Sequence, residues 1–340
     1  MQNIFLFYII TCLILQIPLR VNAQTTMTKK DCLNCHKETN AKQFVHVPSE
    51  ESCKNCHSAT GKPHPQKGVK GFQLVEPVPE LCYSCHDVLN NKTQIHKPLK
   101  KGECLTCHEV HSSDESKLKK AALPGLCYVC HKEYQQMIDT AHSRHGIIKS
   151  GQSCVNCHSP HQSNQPKILK MPEKDLCLQC HNKPLNLDGS TISSIKAELE
   201  RNKYTHSAIA SAGCVGCHNP HATQQQRLLK EPFNSATYIN GRSGKSIGLC
   251  FTCHDAGLLE KGNSLTGFRN REVNLHNVHV NKDKGRNCTN CHGIHSGPNP
   301  YLIQNTIPFG KWNMSLMYTK TELGGKCITA CHKPQTYNRQ

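Results

Sequence analysis

The sequence predicts a mostly irregular protein, with short α-helices and few short β-strands, whose interior is filled by something other than a hydrophobic core. Three observations point there. Apolar residues make up 36 % of the 340-residue chain and tryptophan occurs once, as Trp312, so an ordinary core would be thin. No long window shows sustained helical or strand periodicity. A cysteine and histidine signature, seen for example in "GECLTCHEVH" at residues 102 to 111, recurs along the whole chain.

The N-terminus comes first. Residues 4 to 17, "IFLFYIITCLILQI", form an apolar run too short to span a bilayer comfortably, and "PLRVNAQ" follows. This reads as a secretory signal peptide over residues 1–23, cut after Ala23, although no lysine or arginine precedes the run. Cys12 lies inside the run and is removed with it. No later segment reads as a membrane helix, so the mature chain is expected to be soluble and exported, to the periplasm or to the cell exterior. In an oxidising compartment the remaining cysteines must be paired, metal-bound or otherwise covalently consumed.

Those cysteines fall into one pattern. In order, the matches are Cys32, Cys35 and His36; Cys53, Cys56 and His57; Cys82, Cys85 and His86; Cys104, Cys107 and His108; Cys127, Cys130 and His131; Cys154, Cys157 and His158. They continue with Cys177, Cys180 and His181; Cys214, Cys217 and His218; Cys250, Cys253 and His254; Cys288, Cys291 and His292. An eleventh, "CITACH", has an extra residue between Cys327 and Cys331 before His332. Disulfides need no histidine at that place, and a structural zinc site assembles four ligands from two half-motifs. Covalent haem c does need the triplet. Two thiols three apart share one face of a helical turn and can add to the two haem vinyl groups, while the histidine sits under the ring as an axial iron ligand. Eleven covalently attached haem c groups are therefore expected. In "CITACH" the thiols stand four apart, still on one helical face, with altered reach.

The motifs group into five doubled modules after a solitary first one. The first motif of each module is preceded by a histidine: His46, His96, His145, His206 or His279. It is followed by another: His64 seven residues after His57, then His111, His161, His221 and His295, each three after the motif histidine. A stretch such as "KLKKAALPGLC", "KILKMPEKDLC" or "RLLKEPF" leads to the second motif, usually with leucine before its cysteine.

In these module signatures the chain resembles the multihaem c-type cytochromes of the doubled Cys-x-x-Cys-His family, related in style to class III cytochromes. The resemblance implies short helices and long irregular loops wrapped around stacked haems, and electron transfer as the role. The solitary motif at Cys32, the long interval from His57 to His64, the stretched last motif and inserts in the last two modules depart from the pattern.

Motif spacing is tight to residue 181 and looser beyond. The expected organisation is a seven-haem part over 24–182, a connector over 183–205 with a helix from about Thr191 to Asn202, and a four-haem part over 206–340. In "KWNMSLMYTK" Trp312, Met314, Leu316 and Tyr318 alternate, which predicts one strand of a small hairpin near 310–320 covering a haem face.

Each iron has two axial positions, and the second separates a carrier from an enzyme. Twelve histidines lie outside the motifs, the ten above plus His142 and His276, against eleven needed if every haem is bis-histidine. The sequence does not assign which serves which haem. His142 or His276 is expected to ligate the solitary N-terminal haem, the other being spare. The methionines do not recur with the modules, so low-spin, low-potential iron saturated by protein is expected.

The formal charge of +17 does not argue for nucleic acid. About 22 propionates and about one positive charge per oxidised core would bring the mature holoprotein to about +5 oxidised and about −6 reduced. The expected partners are redox proteins, an outer-membrane cytochrome conduit or further copies of the chain. The reading is an electron carrier. Its rival is a multihaem reductase or oxidase of nitrogen or sulfur oxyanions with one open iron, although no Cys-x-x-Cys-Lys occurs.

Overall fold

The computed structural model describes residues 27–187, 190–239, 247–262 and 266–340; the predicted signal peptide lies outside them. The described chain is mostly irregular, as the sequence predicts. It divides into two units, one of residues up to Val88 with Pro98–Ala122, the other of Leu89–Lys97 with Leu123–Gln340. The first carries the motifs that begin at Cys32, Cys53, Cys82 and Cys104, and the second carries the other seven. The connector at 183–205 lies within the second unit.

The helical turns that carry the motifs are of two kinds, and other short helices, the longest being Lys132–Thr140, stand between them. The solitary motif and the second motifs sit on α-helical turns, Lys29–Cys35, Glu80–Tyr83, Gly125–Tyr128, Glu173–Leu178 and Gly248–Phe251. Pro79, Pro124 and Pro172 occupy the N-cap positions of three of these, where a residue without an N–H loses nothing. Thr28 and Asp31 form a capping box on the first. The first motifs instead sit on tighter 3₁₀ turns, Cys53–Asn55, Cys104–Thr106, Ser153–Asn156, Cys214–Gly216 and Cys288–Asn290.

Among the antiparallel pairs of two-residue strands, four join residues about 70 to 90 positions apart. Phe44–Val45 pairs with Ser112–Ser113, Gln94–Ile95 with Gln162–Ser163, Ser143–Arg144 with Ala222–Thr223, and Tyr204–Thr205 with Ser296–Gly297. Each pair stands beside an upstream histidine of one module and a downstream histidine of the next.

The connector forms a hairpin, Leu185–Leu187 with Ser190–Ile192, then a helix Ile195–Arg201. The helix starts later than the sequence suggested. Thr191 and Ile192 are β-branched and join the hairpin, and Ser194 opens the helix by accepting from the Ala197 amide.

The C-terminus is larger than the expected hairpin. Thr306–Phe309, Trp312–Lys320, Gly324–Thr329 and His332–Asn338 form a four-stranded antiparallel sheet in chain order. Met314, Leu316 and Tyr318 do face inward, with Leu316 buried, but Trp312 is 75 % exposed. The last motif is not helical. Cys327 lies in the third strand and Cys331 in the turn before the fourth. Ile328 and Thr329, β-branched between the two cysteines, suit a strand better than a helical turn.

Apolar burial is thin, as composition predicted. A small core cluster is formed by Ile239, Ile247 and Val280, with Phe251, Leu259 and Cys288 against it. Among the described residues no helix is long and apolar enough to cross a membrane.

Candidate functional site

In nine motifs the turn places the histidine one helical turn beyond its first cysteine. The amide of His36 donates to the Cys32 carbonyl at 2.9 Å, and the same bond recurs at His86, His108, His131, His158, His181, His218, His254 and His292. This is the i to i−4 closure of an α-turn, and it puts thiols and imidazole on one side of the backbone.

In four of the five modules the loop after the first motif wraps back onto it. The rings of His108, His158, His218 and His292 donate through Nδ1 to the carbonyls of Lys117, Lys167, Arg227 and Tyr301, at 3.0, 2.9, 3.0 and 2.7 Å. Each carbonyl belongs to a left-handed residue, followed by a second one: Lys117 and Leu118, Lys167 and Ile168, Arg227 and Leu228, Tyr301 and Leu302, all with φ between 51° and 60°. Two adjacent left-handed side-chain-bearing residues are costly, about 1–2 kcal/mol each. The turn aims one carbonyl at the ring, while the next accepts the amide after the histidine, as Leu118 does from Glu109 at 2.8 Å. A carbonyl can only accept, so Nδ1 carries the proton and Nε2 presents its lone pair.

The upstream histidines are fixed in the same way from another module. His46, His96 and His206 donate through Nδ1 to the carbonyls of Val110, Pro160 and Ile294 at 2.9, 2.8 and 3.1 Å. His145 uses the Pro220 carbonyl. Their own amides donate to the carbonyls of His111, His161, His295 and His221 respectively, completing the short strand pairs.

These constraints bring rings opposite one another in pairs. His36 faces His64, His46 faces His86, His57 faces His111, and His96 faces His131, at centroid distances of 6.0, 6.1, 6.2 and 6.2 Å. His145 faces His181, His158 faces His221, His206 faces His254, and His218 faces His295, at 6.3, 6.1, 6.2 and 6.5 Å. His276 faces His292 at 6.4 Å, and His279 faces His332 at 6.3 Å. Each pair joins one motif histidine to one from outside the motifs. In nine the planes lie within 25°, and in the last they are tilted by 46°. Two imidazoles on opposite sides of one metal, each bonded at about 2 Å, would stand about 6 Å apart between ring centres.

A rule emerges that the sequence did not reveal. The upstream histidine of a module faces that module's second motif. The histidine three after a first motif faces the first motif of the preceding module, as His111 does for His57, His221 for His158 and His295 for His218. The ends differ. His64 faces the solitary His36, and His276 faces His292, so neither His142 nor His276 serves the N-terminal motif as expected. His142 is exposed and belongs to none of these ten pairs.

The sulfurs also follow an order. In the first unit the Cys32 thiol lies in hydrogen-bonding reach of Cys53, Cys56 is beside Cys85, and Cys82 is in reach of Cys104. In the second unit Cys127 reaches Cys154, Cys157 is beside Cys180, Cys177 reaches Cys214, Cys217 is beside Cys253, Cys250 reaches Cys288, and Cys291 is beside Cys327 and Cys331. Within each unit the thiols of successive motifs therefore lie near one another in chain order.

Burial makes several of the rings poor bases. It pushes His221 and His276 down to about 4, with the like charge of His158 or His292 adding to the effect. Such rings stay neutral, the form that ligates a metal. Among the described residues no three of His, Cys, Asp and Glu converge as the shell of a bare metal ion would require. The residues do fit haem c: each motif supplies two thiols that would hold the group, and the paired imidazoles, with Nδ1 tied to a carbonyl in most, keep Nε2 free to bind a metal.

Models of the doubled CXXCH motif match residues 46–91, 96–136, 145–185 and 206–258, together more than half of the chain. Each match opens on the upstream histidine of its module. No curated protein matches the chain.

Proposed function

The chain belongs to the doubled CXXCH family of multihaem c-type cytochromes, and from that premise we propose that it is an exported undecahaem electron carrier whose haems are bis-histidine ligated. The observation that carries this reading is the set of ten facing imidazole pairs, each joining a motif histidine to a histidine from outside the motifs. Bound haem supplies one-electron chemistry at iron. The protein's part is to hold each ring by two thioethers, to fill both axial positions and to keep the rings in sequence.

Filling both faces with fixed imidazoles leaves no site for a substrate, which favours outer-sphere transfer over reduction of an oxyanion. The sulfur contacts support haems standing in chain order, four along the first unit and seven along the second, each next to the following one. Sites that are near and rigidly ligated exchange electrons with little reorganisation. The work would be respiratory electron transfer in the periplasm or at the cell surface, between redox proteins, with an outer-membrane conduit or further copies of the chain as neighbours.

The mass of the secreted holoprotein tests the count: eleven haems are expected, ten would remove "CITACH" from the set, and fewer would break the motif argument. Low-temperature EPR of the oxidised protein tests the ligation. A low-spin spectrum unaltered by nitrite or hydroxylamine is expected, and a substantial high-spin signal that responds to either would favour the enzyme.

A further inference from the structure

We propose that Glu198 is a positioning residue that makes the haem between His218 and His295 the lowest-potential site of the second unit's row. The inference rests on the ligation reading above. It starts from what the Nδ1 atoms face. In the pairs described, the fixed rings donate mostly to backbone carbonyls, and His276 meets the hydroxyl of Thr266 at 2.9 Å. His295 is different: its Nδ1 faces a carboxylate oxygen of Glu198 at 3.4 Å.

The carboxylate is sheltered and held in place. The side chains of His295 and Glu198 are only 29 % and 24 % exposed. Glu198 sits on the helix Ile195–Arg201, and Ser296, fully buried, bonds its backbone carbonyl at 3.1 Å and its Oε1 at 3.5 Å. Asn202 in turn donates to the Ser296 hydroxyl at 2.9 Å. In the second unit a further carboxylate beside one of the facing rings, Glu133 near His131, is 3.7 Å away with side chains 66 % and 47 % exposed, so water screens it.

A carboxylate that accepts the Nδ1 proton makes the imidazole a stronger donor and fixes its orientation. Negative charge beside the ligand favours ferric over ferrous iron, and a sheltered site strengthens the effect. The second ligand, His218, donates to the Arg227 carbonyl at 3.0 Å, so both rings push electron density toward the metal. This haem would be the fourth of seven in its row and the last to accept an electron. It divides the row into three sites on either side.

The test is redox titration of the holoprotein with Glu198→Gln, which keeps the shape and removes the charge. The most negative midpoint should rise, the ratio of oxidised to reduced haem at the old midpoint changing about tenfold, or about 59 mV for one electron. The haem count and the low-spin EPR signal should stay as in wild type. Glu133→Gln should shift its haem less. If Glu198→Gln loses haem, Glu198→Asp retains the charge at longer reach, and a smaller rise is expected. A most negative midpoint that stays at the wild-type value in Glu198→Gln, or that rises as far in Glu198→Asp as the charge-removing variant should make it rise, overturns the proposal. High-spin iron or missing haem already in the wild type would instead overturn the ligation reading beneath it.

Discussion

The interior of the histidine array and its two ends are built differently. In the interior a module cannot complete its own first site: His57 faces His111, His158 faces His221 and His218 faces His295, each partner arriving from the next module. At the N-terminus the solitary His36 takes His64, from the loop after the second motif. In the last module His292 takes His276 from its own short helix, Leu275–Val280. An interior histidine thus both faces a motif ring and staples, because its backbone carbonyl accepts an amide from another module. The end histidines His64 and His276 face rings nearby in the chain instead.

That difference predicts unequal costs. His295→Ala removes a facing ring and leaves the half-buried Glu198 carboxylate without its partner, a loss of about 1–3 kcal/mol. At about 2–4 °C per kcal/mol for a unit of this size, the melting temperature should fall by several degrees as one haem turns high-spin. His64→Ala should give the same high-spin signal with a smaller loss of stability, since beyond His36 its ring makes an edge contact with Phe72 at 5.2 Å, worth about 0.5–1.5 kcal/mol. Equal losses of unfolding free energy in the two variants would dissolve the comparison.

Gly71→Ala sharpens the N-terminal half. A Cβ on Gly71 would stand 2.5 Å from the Cβ of His64 and 3.2 Å from the Pro63 carbonyl, so the histidine must move. The expected result is a loss of about 1–3 kcal/mol and partial high-spin character at one haem, with the haem mass unchanged. A spectrum identical to wild type would show that His64 has slack.

The smallest effect concerns the left-handed turns of the interior. Lys167 is exposed with φ of 56°, a conformation glycine adopts freely. Lys167→Gly should stabilise the second unit by about 0.5–1 kcal/mol, whereas Lys167→Val should destabilise it by more than that gain. Thermal melts of the two holoprotein variants measure the difference. A gain for valine would contradict the strained turn.

These regions also differ in how much the sequence disclosed. Every motif cysteine and histidine was legible, because covalent attachment fixes residue type and spacing. The set of axial candidates was legible as well, yet the pairing was not. Which rings meet depends on two-residue strand pairs that bring together residues about 70 to 90 positions apart, and two residues carry no periodic signal. The left-handed turns were hidden for another reason. Lys117, Ile168, Leu228 and Tyr301 are not residues that advertise positive φ, although the recurring basic and apolar stretch was their trace. At the C-terminus, alternation revealed Met314, Leu316 and Tyr318. It did not reveal that the last motif would leave the helical turn for a strand, since one inserted residue fits either geometry.

The reach of an interior histidine into the preceding module also sets an order in time. In a chain delivered from its N-terminus, His57 has no facing ring until His111 arrives, His158 none until His221, and His218 none until His295. Each of these first motifs waits, one imidazole short, for the module behind it. Second motifs do not wait, since His46, His96, His145, His206 and His279 all precede the motif they face, and His276 likewise precedes His292. Sites that wait for the next module thus alternate along the chain with sites whose facing ring has already arrived.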